Sequence, residues 1–288
     1  MTAARRRRAG GPAAVLRWTL IVVALLCSIG PVLYGVLLSL RPYNTVLLNP
    51  LDLVPGLDEI DLSSYVTAMK DEGSGGFGLG RFVVNSLLVA LATVALSMLA
   101  CIFGAYAAAR LRYRGRRVTS GIILAVYLFP GIVLAVPKFV ILSRLGLTGS
   151  LAGLFIVYVA ATVPVALYMM RNYFLALPES VEEAALLDGC SLPTMLRKVV
   201  LPIALPGVVA TAIYVFMIAW NEYFYALLFL VQDRELWTAP LGLSQLTDFQ
   251  VPVTVLLAGS ITVTVPVIVI FFLAQRYLIA GLTSGAGR

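Results

Sequence analysis

The chain contains no histidine and only three cysteines in 288 residues. Without imidazole it lacks the commonest general base and metal ligand, which counts against most membrane metalloproteases and haem proteins. Cys27, Cys101 and Cys190 stand in or near apolar runs with no paired spacing, so they read as small buried hydrophobes and not as a disulfide framework. Charge is scarce as well. With 12% charged and 60% hydrophobic residues and a mean hydropathy of +0.96, too little polar surface remains to cover a soluble core. The apolar residues must face lipid. The net charge of +7 is then evidence about topology, and it does not point to nucleic acid.

What the chain does have is long apolar runs. A transmembrane helix needs about 20 mostly apolar residues, and six stretches qualify: Arg17–Leu40, Arg81–Ala109, Val118–Leu142, Leu151–Arg171, Leu205–Val231 and Pro252–Tyr277. None alternates with the period of an outer-membrane barrel strand. The start, Arg5 to Arg8 before the first run, has the look of a signal peptide. The run is too long for that, and no small-x-small cleavage site breaks it, so an uncleaved first span is expected. With the N-terminus inside, fifteen of the 21 basic residues fall on the inner side, among them five arginines in the short segment RLRYRGRR, residues 110–117. Charge bias counts most in short loops, so both termini are placed in the cytoplasm. The expected fold is an all-α integral membrane protein of six helices. It comprises a basic cytoplasmic N-terminus (1–17), a first span (18–40), an extracytoplasmic loop (41–80), a transmembrane domain (81–277) and a cytoplasmic tail (278–288).

The outer loop ends in the glycine-rich run GSGGFGLG, residues 73–80. No Lys-Ser/Thr follows and the loop is on the wrong side for nucleotide, so a linker or small cap is the expectation. Pro31, Pro130, Pro137, Pro164 and Pro266 lie within the spans, which membrane helices tolerate. In the fifth span Asn221 and Glu222 lie roughly 25 Å along the helix from Leu205, in the outer half. A carboxylate in lipid is costly, so Glu222 must face a partner helix or a watery cavity. An interhelical hydrogen bond and a place on a transport pathway both fit.

Between spans four and five lies a polar island, residues 178–206. Glu179, Glu182 and Glu183 load the start of a helix, and Ser180-x-x-Glu183 has the form of a capping box. Gly189 suits a helix stop. Ser191 is placed to cap a second helix with Pro193 in its first turn, and Pro202 and Pro206 are expected to end that helix before the fifth span. Two short helices joined by a tight turn should lie on the membrane surface.

The wording Glu183-Ala184-Ala185, then Gly189, then Val199, Leu201 and Pro202 in register, resembles the EAA loop of bacterial ABC-importer permeases; Asp188 and Pro206 also fit. The similarity extends over nearly the whole chain, and is strongest to the second permease subunit of carbohydrate importers of the maltose type. Phe82, Asn85 and Ser86 open the second span as in that family, and Ala105-Tyr106-Ala107 with Arg110 closes it. Phe129-Pro130, Leu145-Gly146-Leu147, Trp220-Asn221-Glu222 and the end from Gln275-Arg276-Tyr277 through Gly281-Leu282-Thr283 to Gly285-Ala286 also correspond. The chain departs from the pattern at Gly287-Arg288 and at Cys190, where alanine is commoner.

The resemblance implies that the hairpin docks on a cytoplasmic ATPase. The residues concerned are Glu182, Glu183, Ala184, Ala185, Asp188, Gly189, Leu201 and Pro202, with Glu183 pairing with a basic residue of that subunit. Asn221 and Glu222 are candidates for the translocation pathway. The implied partners are a second, related permease, two copies of the ATPase, an extracytoplasmic solute-binding protein and membrane lipid, with no nucleic acid. The solute implied is a sugar, although permeases for polyamines or metals share the EAA loop. No cofactor or metal is implied, and the chain has no nucleotide-binding motif. An intramembrane enzyme would need a nucleophile–base pair at one depth, and none accompanies Asn221 and Glu222.

Overall fold

The computed structural model describes residues 12–49, 56 and 59–285. Arg5 to Arg8, Asp52, Asp58 and the last three residues, Ala286 to Arg288, lie outside the described residues. The described chain is helical throughout. It begins with α1 (Pro12–Ser39), α2 (Tyr43–Leu48), α3 (Ser63–Met69) and α4 (Leu79–Arg110). Next come α5 (Arg116–Leu128), α6 (Ala135–Arg144), α7 (Leu151–Ala176), α8 (Glu179–Leu187) and α9 (Leu192–Met195). The remainder is α10 (Leu201–Trp220), α11 (Phe224–Leu230), α12 (Ala239–Ser244) and α13 (Val253–Gly285). Among the described residues, five helical stretches are long and apolar enough to cross a membrane: α1, α4, α7, the continuous run Leu192–Trp220, and α13.

The expected third span is not one helix. α5 stops at Leu128, Phe129 and Pro130 are extended, and a 3-10 turn at Gly131–Leu134 leads into α6. Pro130 lacks the N–H that would continue the ladder and pushes Phe129 out of the helical region, so the break falls there. Pro31, Pro164 and Pro266 by contrast lie inside continuous helices. The fifth expected span is also interrupted. α10 ends at Trp220 and α11 begins at Phe224, so Asn221 and Glu222 occupy a joint and not a helix interior.

α4, α7 and α10 pack side by side around a core that includes Ala90, Leu154, Val157, Phe216 and Trp220. Small and hydroxylated residues let α4 and α7 approach closely, and Ser97 Oγ lies 2.9 Å from Thr162 Oγ1 in a buried pair. Gly207 of α10 is needed for the same reason, because a Cβ there would stand 2.4 Å from the Tyr173 ring. α1 touches α13 and is exposed along most of its length, as a lipid-facing helix is.

At the α4 N-terminal end the glycine-rich run is an ordered turn. Gly75 and Gly78 adopt positive φ, and a Cβ on Gly76 would collide with the Lys70 carbonyl. α3, just before this turn, is pinned to α1 by Ser39 and Tyr65 (2.7 Å) and to α13 by Ser64 and Thr254 (2.9 Å). The Ser63 hydroxyl and backbone N–H both donate to Asp61, holding its carboxyl below the usual range. Asn85 Nδ2 donates to the carbonyls of Glu235 and Trp237, and Ser86 Oγ accepts from the Ala239 N–H, so the start of α4 also fixes the connection into α12.

At the other end of α4 sits the helical hairpin. α8 begins at Glu179 with Pro178 as its N-cap, and no side chain caps it. The expected capping box at Ser180 and Glu183 is therefore absent, because the helix starts two residues earlier than that motif requires. The far end of α8 follows expectation in detail. Gly189 has φ +77°, its N–H bonds the Leu186 carbonyl, and the Cys190 N–H bonds the Ala185 carbonyl. That is the six-to-one and five-to-two pattern of a Schellman stop.

The second helix does not end at Pro202 and Pro206. α9 passes through a π turn at Leu196–Val200 straight into α10, with the Leu201 N–H reaching back to the Leu196 carbonyl. The wide turn accommodates Pro202, which has no N–H to give and would crowd a regular turn. Ser191 caps nothing on the backbone; its hydroxyl pairs with Thr194 at 2.9 Å.

One arginine fastens the hairpin to the bundle. Arg110, last residue of α4, donates through Nε to Glu182 (2.7 Å), through Nη1 to Glu179 (3.1 Å) and through Nη2 to the Leu177 carbonyl (2.7 Å). Tyr106, one turn earlier, donates to the other Glu182 oxygen at 2.8 Å. The Arg110 and Glu182 side chains are only 7% and 13% exposed, so each depends on the other for its charge. Ala185, Met195, Leu196 and Val200 pack beneath them on Met170 and Phe174. Arg110→Gln should leave insertion intact but cost the hairpin about 3 kcal/mol of local stability, as breaking a buried pair does. Amide hydrogen exchange over residues 178–191 should then speed up by roughly a hundredfold, with the α4–α7 core unchanged.

Candidate functional site: the hairpin face and the broken-helix joint

The sequence singled out two loci, and the structure places them at different parts of the chain. On α8, successive residues point in different directions, 100° apart. Glu182 and Ala185 turn inward, whereas Glu183, Ala184, Leu186, Leu187 and Asp188 are exposed. Among the described residues the side chains of Glu183 and Asp188 make no hydrogen bond or ion pair. Leu187 is 89% exposed and Leu186 53%, an apolar pair beside two free carboxylates. This side of α8 thus presents two carboxylates, a small residue and two leucines outward. Gly189 lies at its edge. Leu201 and Pro202 are not on this helix; they stand where the π turn enters α10.

The second locus is the joint between α10 and α11. Trp220 is buried and stacked on Phe216, with ring centroids 5.5 Å apart, and this fixes where α10 stops. Asn221 closes α10, its N–H and Nδ2 both donating to the Met217 carbonyl at 3.1 and 2.8 Å. It remains exposed. Glu222 turns the other way. Its carboxylate accepts from the N–H groups of Tyr225 (2.8 Å) and Ala226 (3.2 Å), holding the start of α11, and from the Tyr158 hydroxyl on α7 (2.9 Å). The hydrogen bond between helices, one of the two alternatives for Glu222, is thus present.

Residues that sequence reasoning passed over complete both loci. Tyr225 donates to the Gly131 carbonyl at 3.0 Å, bonding the α10–α11 joint to the Pro130 break. Lys138 of α6 lies 3.3 Å from the Tyr225 hydroxyl and 5.0 Å from its ring centroid. A lysine inside an apolar run was the signal available for this partner. Tyr106 and Arg110 are visible in the sequence at the close of the second run, and Arg110 in the basic segment, but not as partners of the hairpin. No group of three or more metal-ligating side chains occurs among the described residues.

Comparison with known proteins agrees with this architecture. Residues 100–283 match the family described as binding-protein-dependent transport system inner membrane component. The trehalose transport system permease protein SugB of Mycobacterium tuberculosis (strain CDC 1551 / Oshkosh) is 35% identical over 262 residues, covering 89% of this chain and 91% of that protein. The trehalose/maltose transport system permease protein MalG of Thermococcus litoralis is 32% identical, covering 92% and 93%. Among solved structures, a chain of a bacterial ABC transporter involved in the import of the acidic polysaccharide alginate superimposes with a TM-score of 0.77 at 26% identity. It covers 96% of this chain and 99% of that one. A chain of the MetNI methionine ABC transporter shares the fold alone, with a TM-score of 0.60 and 19% identity over 70% of this chain and 95% of that one. The chain belongs to the inner-membrane permease family of binding-protein-dependent ABC transport systems.

Proposed function

We propose that this permease lines the translocation pathway of a sugar importer and is driven through α8 by a separate cytoplasmic ATPase, present in two copies. The observation that carries the reading is the division between two adjacent glutamates. Glu182 is committed to Arg110, whereas Glu183 is exposed and unpaired among the described residues. A helix held this firmly from behind is suited to transmit a push. Glu183, Ala184, Leu187 and Asp188 form the docking face, Gly189 shapes its end, and Glu182 and Ala185 hold it from beneath. Leu201 and Pro202 join the hairpin to the pathway helix. Closure of the two ATPase subunits then moves the permeases as rigid bodies.

The topology that goes with this has both termini inside and six crossings, the third assembled from α5 and α6. Basic and aromatic neighbours at the proposed inner ends support it: Arg17 beside Trp18, Arg112 and Arg114 around Tyr113, and Arg276 beside Tyr277. The arginines favour the inner side, and the rings suit a membrane–water interface. The ordered segment 59–80 and the 231–252 connection then form the outer face, where the solute-binding protein would deliver its load. A second, related permease completes the pathway. Asn221, exposed at the helix joint, is the candidate for touching solute, and Glu222 positions that joint. A sugar is the proposed solute because relatives covering nine-tenths of the chain are named for trehalose and maltose transport.

Glu183→Lys should leave the protein in the membrane but abolish co-purification with the ATPase and cut transport by at least tenfold. Gly189→Asp should act similarly, because a side chain at φ +77° strains the stop. Wild-type transport with full ATPase retention in both variants would sink the docking claim. At the other locus Asn221→Ala should raise the half-saturation concentration for transport severalfold with ATPase retention intact. Glu222→Ala should instead lower thermal stability, by about 1–3 kcal/mol for unpaired buried donors. Calorimetric titration of the cognate solute-binding protein with mono- and oligosaccharides tests the solute. Micromolar binding of a polyamine or metal with no saccharide binding would remove the sugar assignment.

A further inference from the structure

The arginine-rich connection between α4 and α5 contains two kinds of arginine. Arg110 is consumed by the hairpin, and Arg116 by the last carbonyls of α4, its Nε donating to Ala108 at 3.1 Å and its Nη2 to Ala109. Arg112 and Arg114 are different. Both are exposed and, among the described residues, neither has a hydrogen bond or an ion pair. They alternate with Leu111 and Tyr113, each 39% exposed, along a short non-helical stretch that ends in the Gly115 turn at φ +91°.

We infer that Arg112 and Arg114, with Leu111 and Tyr113 between them, form a binding surface for anionic lipid headgroups of the cytoplasmic leaflet. The inference rests on the proposed inside location of this connection. Its depth is set by α4, whose 32 residues span about 48 Å, slightly more than a bilayer with its headgroups. Either end of such a helix therefore lies at headgroup level. The connection returns to a helix within five residues, so its side chains stay at that level. Free guanidiniums flanked by exposed apolar stems match that boundary, with the stems lying on acyl chains and the forks on phosphate. Because Arg110 and Arg116 fix both ends of the stretch, it is presented ready-made.

The test uses the full chain in phosphatidylcholine vesicles holding one-fifth phosphatidylglycerol, with spin-labelled versions of each lipid reporting association. The wild-type chain should prefer phosphatidylglycerol, and added salt should weaken the preference. Arg5 to Arg8 supply a background common to all variants, so the comparison is between variants. Arg112→Gln with Arg114→Gln should lower the preference by roughly fivefold per arginine at most. Replacing both with lysine should keep it, and Arg144→Gln, at the other end of the bundle, should not change it. An unchanged preference in the glutamine pair, or an equal loss in the lysine pair, overturns the inference. A single cysteine at position 114, in a chain whose own cysteines are replaced by alanine, reports the side by membrane-impermeant labelling. Labelling from outside would remove the topology itself, whereas inside labelling with no lipid effect removes only the headgroup surface.

Discussion

Arg110 is the point where three parts of the chain meet, and its planar fork is what lets one side chain serve all of them. Nε and the two terminal nitrogens reach Glu182, Glu179 and the Leu177 carbonyl in different directions. A lysine has a single point of charge and could not hold that geometry. The placement also suits the helix dipoles on both sides. Arg110 ends α4, where positive charge is favoured, and its glutamates begin α8, where negative charge is favoured. Burying a guanidinium is tolerable only because every direction is answered. The result is that α8 cannot move without moving α4. Through the continuous run from α9 into α10, it is tied to α10 as well.

The same requirement, that every backbone group in the apolar zone be satisfied, explains how two broken helices coexist in one bundle. Each break frees carbonyls and N–H groups, and the side chains that answer them come from the joint itself, from the other break or from α7. The Gly131 carbonyl, in the 3-10 turn that follows Pro130, receives the Tyr225 hydroxyl. The first N–H groups of α11 are taken by Glu222, which Tyr158 steadies. Phe139 and Phe229 meet edge to face at 5.4 Å between α6 and α11, so the repair is apolar as well as polar. Glu222 is tolerated here because it does the work of a helix cap. Asn221, its neighbour, is left facing outward.

Legibility in the sequence tracked the range of the interaction. The apolar runs gave the long helices, because length and hydropathy are properties of single segments. The stop at Gly189 was readable for the same reason: a Schellman turn is closed within six residues. Pro130 was visible, yet five prolines in spans look alike, and which one breaks its helix depends on whether a Tyr225 exists elsewhere to repair the break. The end of α10 was hidden in the same way. Nothing in WNEYFYALLFL declares a joint until Trp220 is seen packed on Phe216 and Glu222 seen bonded forward to Tyr225 and Ala226. Asn85 and Ser86 could be noticed as a pattern, but their reason, two carbonyls and an N–H from the 235–239 segment, lies 150 residues away.

The missing capping box bears on function. Had Ser180 capped α8, Glu183 would be folded back on the Ser180 N–H, with its carboxylate spent inside the hairpin. Pro178, with φ fixed at −62°, starts the helix at Glu179 instead. With that start Glu182 lies within reach of Arg110, and Glu183, nearly a third of a turn further round, has no internal partner. Two adjacent glutamates that look equivalent in sequence are thereby given opposite tasks, one facing the bundle and one facing out. An arrangement that spends one carboxylate on holding the helix and keeps the next one free is what the proposed coupling role requires, since a docking residue can transmit force only if the helix that carries it is itself held fast.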